Sequence, residues 1–434
     1  MKKEAQESYG FSFITDNSSK CNKEAAFFLT KLNERYLQDA KNRGCTHILD
    51  AKEVSDILGI ENIKIIGITG TNGKTTTAAA IYSMLLDLGA KVAFQGTRGC
   101  FINETQVAKK GLTTPTIFET MLNMKKAVDE GCEFFIMEVS SHAIEQNRID
   151  GLNFALKIFT NVTQDHLDYH KSLENYIRVK SSFFADESMK LINKDDTKIE
   201  FNPKNCRTYG IENSATYKIL AYSLNDGING ALAKIEKVYD FSSPMRGFFN
   251  LYNILAAISA VDMLEIAPME KICEVAENFA GVEGRMEIVN EEPLVIVDFA
   301  HTPDGMEKVL DSMKGRDIVV LFGAGGDRDR GKRAKMGFIA SKYAKKIVVT
   351  SDNPRSEDPK KIVEDILQGV KNPKDLRVEI DRKKALQNAI EWQKEDEVLL
   401  VLGKGDETYQ EIKGEKIPFD DREIIKNLIK IRIK

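Results

Sequence analysis

The sequence has no C-x-x-C spacing among its six cysteines (21, 45, 100, 132, 206 and 273). A disulfide framework or a cysteine zinc site is therefore not expected, and a reducing compartment suits the chain. It has no long hydrophobic run. The longest apolar-rich stretch, Leu251 to Leu264, includes Asn253 and Asp262 and is too short to span a bilayer. It has no excess of one charge: 62 Lys and Arg against 66 Asp and Glu leave a formal net charge of −4. That balance argues against non-specific binding to nucleic acid or to an anionic membrane. An anionic substrate must then be held by local basic groups. Met1 to Gly10 carries two lysines followed by acidic and polar residues, with no apolar core, so no signal peptide is expected. Repeats and low-complexity tracts are also absent. These absences describe a soluble cytoplasmic protein without membrane insertion or nucleic-acid partner, and a monomer is expected.

What is present is the composition of an ordinary globular protein, 42% hydrophobic and 29% charged over 434 residues. That length allows two to four domains. Apolar strand-like runs alternate with helical patterns, the signature of parallel α/β domains. Such runs include Ile63–Ile68, Lys91–Gln95, Glu133–Val139, Ala155–Thr160, Leu294–Asp298, Ile318–Phe322, Lys346–Thr350 and Glu397–Leu402. Continuous runs such as Phe134-Phe135-Ile136-Met137 suit strands buried on both faces. The first sixty or so residues are weaker in pattern, and a glycine-interrupted border falls at Gly281-Val-Glu-Gly-Arg285. Three domains are expected, over residues 1–62, 63–281 and 282–434. Residues 215–240, with the turn-formers Asn225-Asp226-Gly227, read as a β-hairpin insertion.

The sharpest local signal is Gly70-Thr71-Asn72-Gly73-Lys74-Thr75-Thr76 between a strand and an Ala-rich helix over 76–88. The glycines let backbone N–H groups face phosphate oxygens, Lys74 can reach the β and γ phosphates, and the Thr75 hydroxyl is placed for Mg²⁺. Ile68 stands where the common phosphate loop has its first glycine, so the loop is a variant. ATP binding is expected, but a kinase, a GTPase, a transporter ATPase and a ligase all fit this loop.

Further motifs sit at strand ends, where ligands of open α/β sheets bind. They are Glu138-Val-Ser-Ser-His142, Thr160-Asn-Val-Thr-Gln-Asp165-His166-Leu-Asp168-Tyr-His170, Asp298-Phe-Ala-His301-Thr-Pro-Asp304 and Ser351-Asp352-Asn353-Pro354-Arg355. Four of only five histidines fall in them. Glu138 is read as an Mg²⁺ ligand beside the phosphate loop, against a helix cap. His166 is a metal ligand or a satisfied core histidine. Asp168 and His170 either belong to the site or face solvent. Asp298 and His301 suit ribose or phosphate contact, against simple turn-formers. The loop Gly323–Arg333 puts four cationic side chains within six residues and reads as an anion or carboxylate site.

Together these motifs resemble the Mur ligase family over Ile63 to Asp421, and most closely its tripeptide-forming, diaminopimelate-adding members. The resemblance implies an α/β, three-domain Mur ligase architecture: a short domain for the UDP-muropeptide, a central P-loop ATPase domain with a mostly parallel sheet, and a C-terminal Rossmann-like domain. It implies an ATP-dependent amide ligase of cytoplasmic peptidoglycan precursor synthesis, with ATP and Mg²⁺. The D-glutamate carboxylate of UDP-MurNAc-L-Ala-D-Glu would be activated as an acyl phosphate and attacked by meso-diaminopimelate. By the same resemblance Gly70–Thr76, Asn250, Asn253, Arg285, Asp298 and His301 serve ATP. Ser19, Thr113, Thr114, Ser140, Gln146 and Arg148 serve the UDP-muropeptide, with Ser18 nearly as good an alignment as Ser19. Thr75, Glu138, His166 and Lys180 serve the metal, Lys180 as a carbamoylated lysine; unmodified, it would be an ordinary helix-surface lysine. Lys74, Lys180, His166 and Glu138 are the expected catalytic group.

Arg328, Asp352, Asn353, Pro354, Arg355, Gly403 and Glu407 match the diaminopimelate contacts. The chemistry agrees: diaminopimelate carries a carboxylate where lysine has none, and a guanidinium fixed after Pro354 can bind it bidentately. Losing such a buried partner costs about 2–5 kcal/mol. Two departures stand out. The family's Gly-Lys-Gly-His-Glu reads Gly403-Lys404-Gly405-Asp406-Glu407, and the uracil-side Asp-Ser-Arg reads Asn17-Ser18-Ser19-Lys20.

Overall fold

A computed structural model describes residues 9–225, 227–371 and 375–432. The turn residue Asp226 and residues 1–8 of the stretch read for a signal peptide lie outside them.

Three α/β bodies follow one another. Phe13–Thr15, Ala25–Phe28 and His47–Leu49 form a small parallel sheet. Next comes an 11-stranded sheet. At its centre Lys64–Thr69 lies between Phe134–Glu138 and Phe154–Phe159, all parallel. The strand Phe134–Glu138 shows why a continuous apolar run suits this position. Phe134 and Ile136 enter the core on one face, and Phe135 and Met137 enter the core on the other. The apolar stretch after Leu251 belongs to the helix Phe248–Met263, buried for most of its length against that first face. No helix among the described residues is long and apolar enough to cross a membrane. The expected hairpin is a three-stranded antiparallel meander, Tyr217–Ser223, Ile228–Lys234 and Lys237–Ser243, which extends the sheet at one edge.

The last body is a six-stranded sheet in the order Glu287–Asn290, Val295–Asp298, Val398–Leu402, Ile318–Phe322, Lys346–Val349, Asp375–Val378. Only its first strand is antiparallel. Val295 and Val297 face one core and Ile296 the other.

Strand register brings the motifs together. Ile68 pairs with both Glu138 and Ile158, and Thr69 pairs with Phe159, so the loops that begin at Gly70, Val139 and Thr160 leave the sheet side by side. In the last sheet Asp298 pairs with Leu402, so Asp298 and Gly403 emerge together.

Candidate active site

The strand ends of the two larger sheets face each other across a cleft of about 780 Å³, within the range of small-molecule sites. Residues 70–76, Thr113, Glu138, Ser140, His166, Lys180 and Asn253 line one side. Arg285, Asp298, His301, Arg328, Asp352, Asn353, Arg355, Gly403 and Glu407 line the other. Ser19, Thr114, Gln146, Arg148, Asn250 and Pro354 do not line it.

The phosphate loop is tight for steric reasons. A Cβ on Gly70 would fall 1.8 Å from Thr160 Oγ1, and Gly73, at φ +84°, leaves 2.3 Å to Asn253 Oδ1. Lys74 folds back on its own loop, its Nζ donating to the carbonyls of Gly70 (2.8 Å) and Thr71 (2.9 Å). Burial lowers its pKa, against the raising influence of Glu138 and Asp165. The Thr75 hydroxyl donates to Glu138 Oε2 at 2.8 Å. Glu138 is fully buried and also accepts from the Thr97 backbone N–H (2.9 Å) and hydroxyl (3.2 Å).

Lys180 is not on a helix surface. It is buried, with its Nζ donating to Thr69 Oγ1 (3.2 Å) and the Gly70 carbonyl (2.9 Å). Burial, reinforced by nearby Lys74, holds its pKa well below the lysine range. His166 adopts a left-handed backbone, φ +53°. Burial pushes its pKa down to about 4 despite Asp165, so the ring is neutral with a free lone pair at neutral pH. His170 is buried, its Nε2 2.9 Å from Ser141 Oγ, rather than facing solvent.

The hydroxyl, carboxylate and neutral imidazole beside the phosphate loop are donors that suit Mg²⁺. Among the described residues no three His, Cys, Asp or Glu side chains converge as a ready metal cage. Mg²⁺ uses few protein carboxylates and completes its shell with water and substrate phosphates, so this donor set fits it.

Asn253 Nδ2 donates to Asn250 Oδ1 at 2.8 Å, so Asn250 sits behind Asn253. The Arg285 guanidinium stacks 4.1 Å from the Phe299 ring centroid. Asp298 accepts from the N–H groups of Met286 (2.8 Å) and Ala300 (2.7 Å), and burial raises its pKa. His301 Nδ1–H donates to the Phe299 carbonyl at 2.9 Å, leaving Nε2 free.

Thr114 Oγ1 donates to the Glu138 carbonyl at 2.9 Å and accepts from the Ser140 N–H at 3.0 Å. Ser140 caps the helix Ser141–Glu145. Arg148 holds the Thr114 carbonyl (3.0 Å) and Gln146, so these residues brace the Thr113–Ser140 edge from behind. Ser19 is exposed on a 3-10 turn and bonds Asn17 Oδ1; neighbouring Ser18 is buried and bonded to Asp39.

In the last sheet Arg355, at φ +51°, donates from Nη1 to the Gly326 carbonyl (2.8 Å), with Nε 3.2 Å from Glu411. Pro354 fixes the segment's turn, and its carbonyl lies 1.9 Å from where a Gly326 Cβ would be. Asn353 Nδ2 donates to Glu407 Oε2 at 2.8 Å. The basic loop divides its labour. Arg328 and Lys332 line the cleft, whereas Arg330 and Arg333 pair with Glu357.

Sequence reasoning assigned no role of their own to Thr97, Asp165, Asp304 or Lys404, and it grouped Lys332 with the other cations of its loop. Thr97 follows the strand Val92–Gly96 and was findable as a strand end. Asp304 closes the strand-end motif that begins at Asp298, but its partner was not legible: Asn72 Nδ2 reaches its Oδ2 at 2.7 Å from another domain. Asp406, where the family motif has histidine, pairs with Lys110 across the cleft at 3.1 Å.

A phosphate loop facing a second Rossmann-like sheet defines an ATP-dependent ligase cleft. Residues 68–261 match the Mur ligase middle domain and residues 284–405 the Mur ligase glutamate ligase domain. The chain belongs to the Mur ligase family. It is 54% identical over 413 residues to the UDP-N-acetylmuramoyl-L-alanyl-D-glutamate–2,6-diaminopimelate ligase of Wolinella succinogenes, covering 95% of each chain. The Helicobacter pylori enzyme of that name is 50% identical over 430 residues, 96% of each. A solved structure of a ligase of the same name superposes with a TM-score of 0.69 at 28% identity, over 98% of this chain and 96% of that one.

Proposed function

We propose that this protein adds meso-diaminopimelate to UDP-MurNAc-L-Ala-D-Glu in cytoplasmic peptidoglycan precursor synthesis, with ATP consumed through an acyl phosphate. The observation that carries this reading is the meeting of the phosphate loop with the Asp352–Arg355 segment in one cleft, 278 positions after Lys74 in the chain. Residues 1–62 supply the nucleotide-sugar end, 63–281 the ATP site and 282–434 the amino-acid site.

In this reading the N–H groups of Gly70–Thr76 cradle the phosphates, and Lys74 leaves its own carbonyls for the transferring phosphoryl group. Asn253, with Asn250 behind it, Asp298 and His301 hold the nucleoside, and Arg285 closes over it. Thr113 and Ser140 hold the muropeptide, oriented by Thr114, Gln146 and Arg148, and Ser19 meets its uridine end. Thr75, Glu138, His166 and the carbamate of Lys180 would hold Mg²⁺, which offsets phosphate charge. A buried amine with a depressed pKa and no carboxylate partner in contact is suited to take up CO₂, releasing a proton.

The D-glutamate carboxylate oxygen attacks the γ phosphorus and ADP leaves. The amine nitrogen of diaminopimelate then attacks the acyl carbon, the C–O bond breaks, phosphate leaves and the nitrogen loses a proton. Exclusion of water by the facing sheets protects the acyl phosphate. Arg355, Arg328 and Gly403 receive the distal carboxylate, and Asp352, Asn353 and Glu407 its ammonium, with Pro354 setting the turn.

The test is product mass after incubation with ATP, Mg²⁺, UDP-MurNAc-dipeptide and either diaminopimelate or lysine. Tripeptide should form with diaminopimelate; equal use of lysine would sink the assignment of Arg355.

A further inference from the structure

The amino-acid side of the cleft contains a charged group to which the mechanism above gives no part. Lys404, between Gly403 and Gly405, is fully buried and does not line the cleft. Its Nζ donates to Asn353 Oδ1 at 3.2 Å and to Glu407 Oε2 at 3.1 Å. A buried ammonium is tolerated only when paired and hydrogen-bonded, so these contacts hold Lys404 and equally fix their two partners. Asn353 Nδ2 reaches the same Glu407 oxygen at 2.8 Å, which closes a three-membered network.

The charges around this network can be counted. Asp352 lies beside it; burial would raise its pKa, but Lys404, Arg382 and the Asn353 N–H together hold it below the usual range. Arg382 is matched by Asp421 at 2.7 Å and adds no net charge. The acidic side therefore holds two carboxylates, Asp352 and Glu407, less one ammonium, Lys404: one net negative charge. On the basic side Arg355 is paired with Glu411 at 3.2 Å, Lys332 and Asp329, which both line the cleft, offset each other, and Arg328 supplies one net positive charge. One of each sign matches an ammonium and a carboxylate on a single carbon. Without Lys404 the acidic side would hold two net negative charges, a pocket better suited to an amine with no carboxylate beside it.

We propose that Lys404 is a specificity-determining positioning residue: it fixes Asn353 and Glu407 and cancels one of two carboxylate charges, so that the pocket accepts a zwitterionic amino-acid terminus over a lone ammonium. The inference rests on the diaminopimelate reading above.

The test compares the wild type with Lys404→Met, which keeps length without charge, and Lys404→Arg, which keeps charge. Acceptors are meso-diaminopimelate, lysine (as substrate and as competitive inhibitor) and hydroxylamine. Hydroxylamine nitrogen attacks the acyl carbon and expels phosphate, giving a hydroxamate that needs no amino-acid pocket. Lys404→Met should raise the diaminopimelate KM about tenfold and shift preference towards lysine by about tenfold, as expected for loss of a close charge partner. Its hydroxamate rate should stay within about threefold of wild type, because the acyl phosphate forms elsewhere. Lys404→Arg should keep the wild-type preference. Unchanged preference in Lys404→Met, an Arg variant shifted like the Met variant, or hydroxamate lost in step with tripeptide would each overturn the proposal. A wild type that makes hydroxamate but adds no diaminopimelate overturns the substrate reading itself, and this inference with it.

Discussion

At the scale of single residues, burial decides what a charge can do. Lys180 reads in sequence as one more helical lysine, yet its place under the phosphate loop removes it from water. Glu357 shows the opposite sign. Its hydrogen bonds to Arg333 pull its pKa from the ordinary value near 4.5 to about 2. A folded pKa below the unfolded one contributes stability that is fully present above about pH 4.5 and lost as pH falls towards 2. The melting-temperature gap between wild type and Glu357→Gln should therefore be constant above about pH 5 and close on acidification. A gap that widened in acid would refute the pairing. The four cations of the loop Arg328–Arg333 were legible as a cluster, but their division between cleft and scaffold was not, because Glu357 and Asp365 lie 24 and 32 positions from Arg333.

At the scale of elements, strand ends and turns were legible, since period-two burial and glycine punctuation are local properties. The helix expected over 76–88 spans Lys74–Asp87, beginning at Gly73 as its cap. At that cap the positive φ and the Asn253 oxygen both exclude a side chain. Gly73→Ala should cost at least about 1 kcal/mol of stability from backbone strain alone. It should also weaken ATP binding, measured by the KM for ATP, because Asn253 must move. An unaltered KM would show that the loop can relax. The small N-terminal sheet was barely visible in sequence: its strands are three and four residues long, too short for periodicity to declare itself.

At the scale of the whole molecule, the contacts between the two larger bodies include Asn72–Asp304 (2.7 Å), Gln164–Lys335 (2.7 Å), Lys110–Asp406 (3.1 Å) and Arg98–Glu283 (2.7 Å), with Phe249 packed against the core of the last sheet. Contacts that are mostly polar suit an interface that opens and closes rather than a permanent core. X-ray scattering should show compaction when an ATP analogue and both substrates are added; an unchanged profile would count against closure as the gate. The sequence by itself determined the α/β class, the phosphate loop and the chemistry available at each strand end, because these follow from near neighbours in the chain. Only the tertiary structure decided which side chains share a cleft, which lysines are stripped of water, and which acids answer which bases. Those depend on electrostatics and burial between residues up to hundreds of positions apart, which no local pattern encodes.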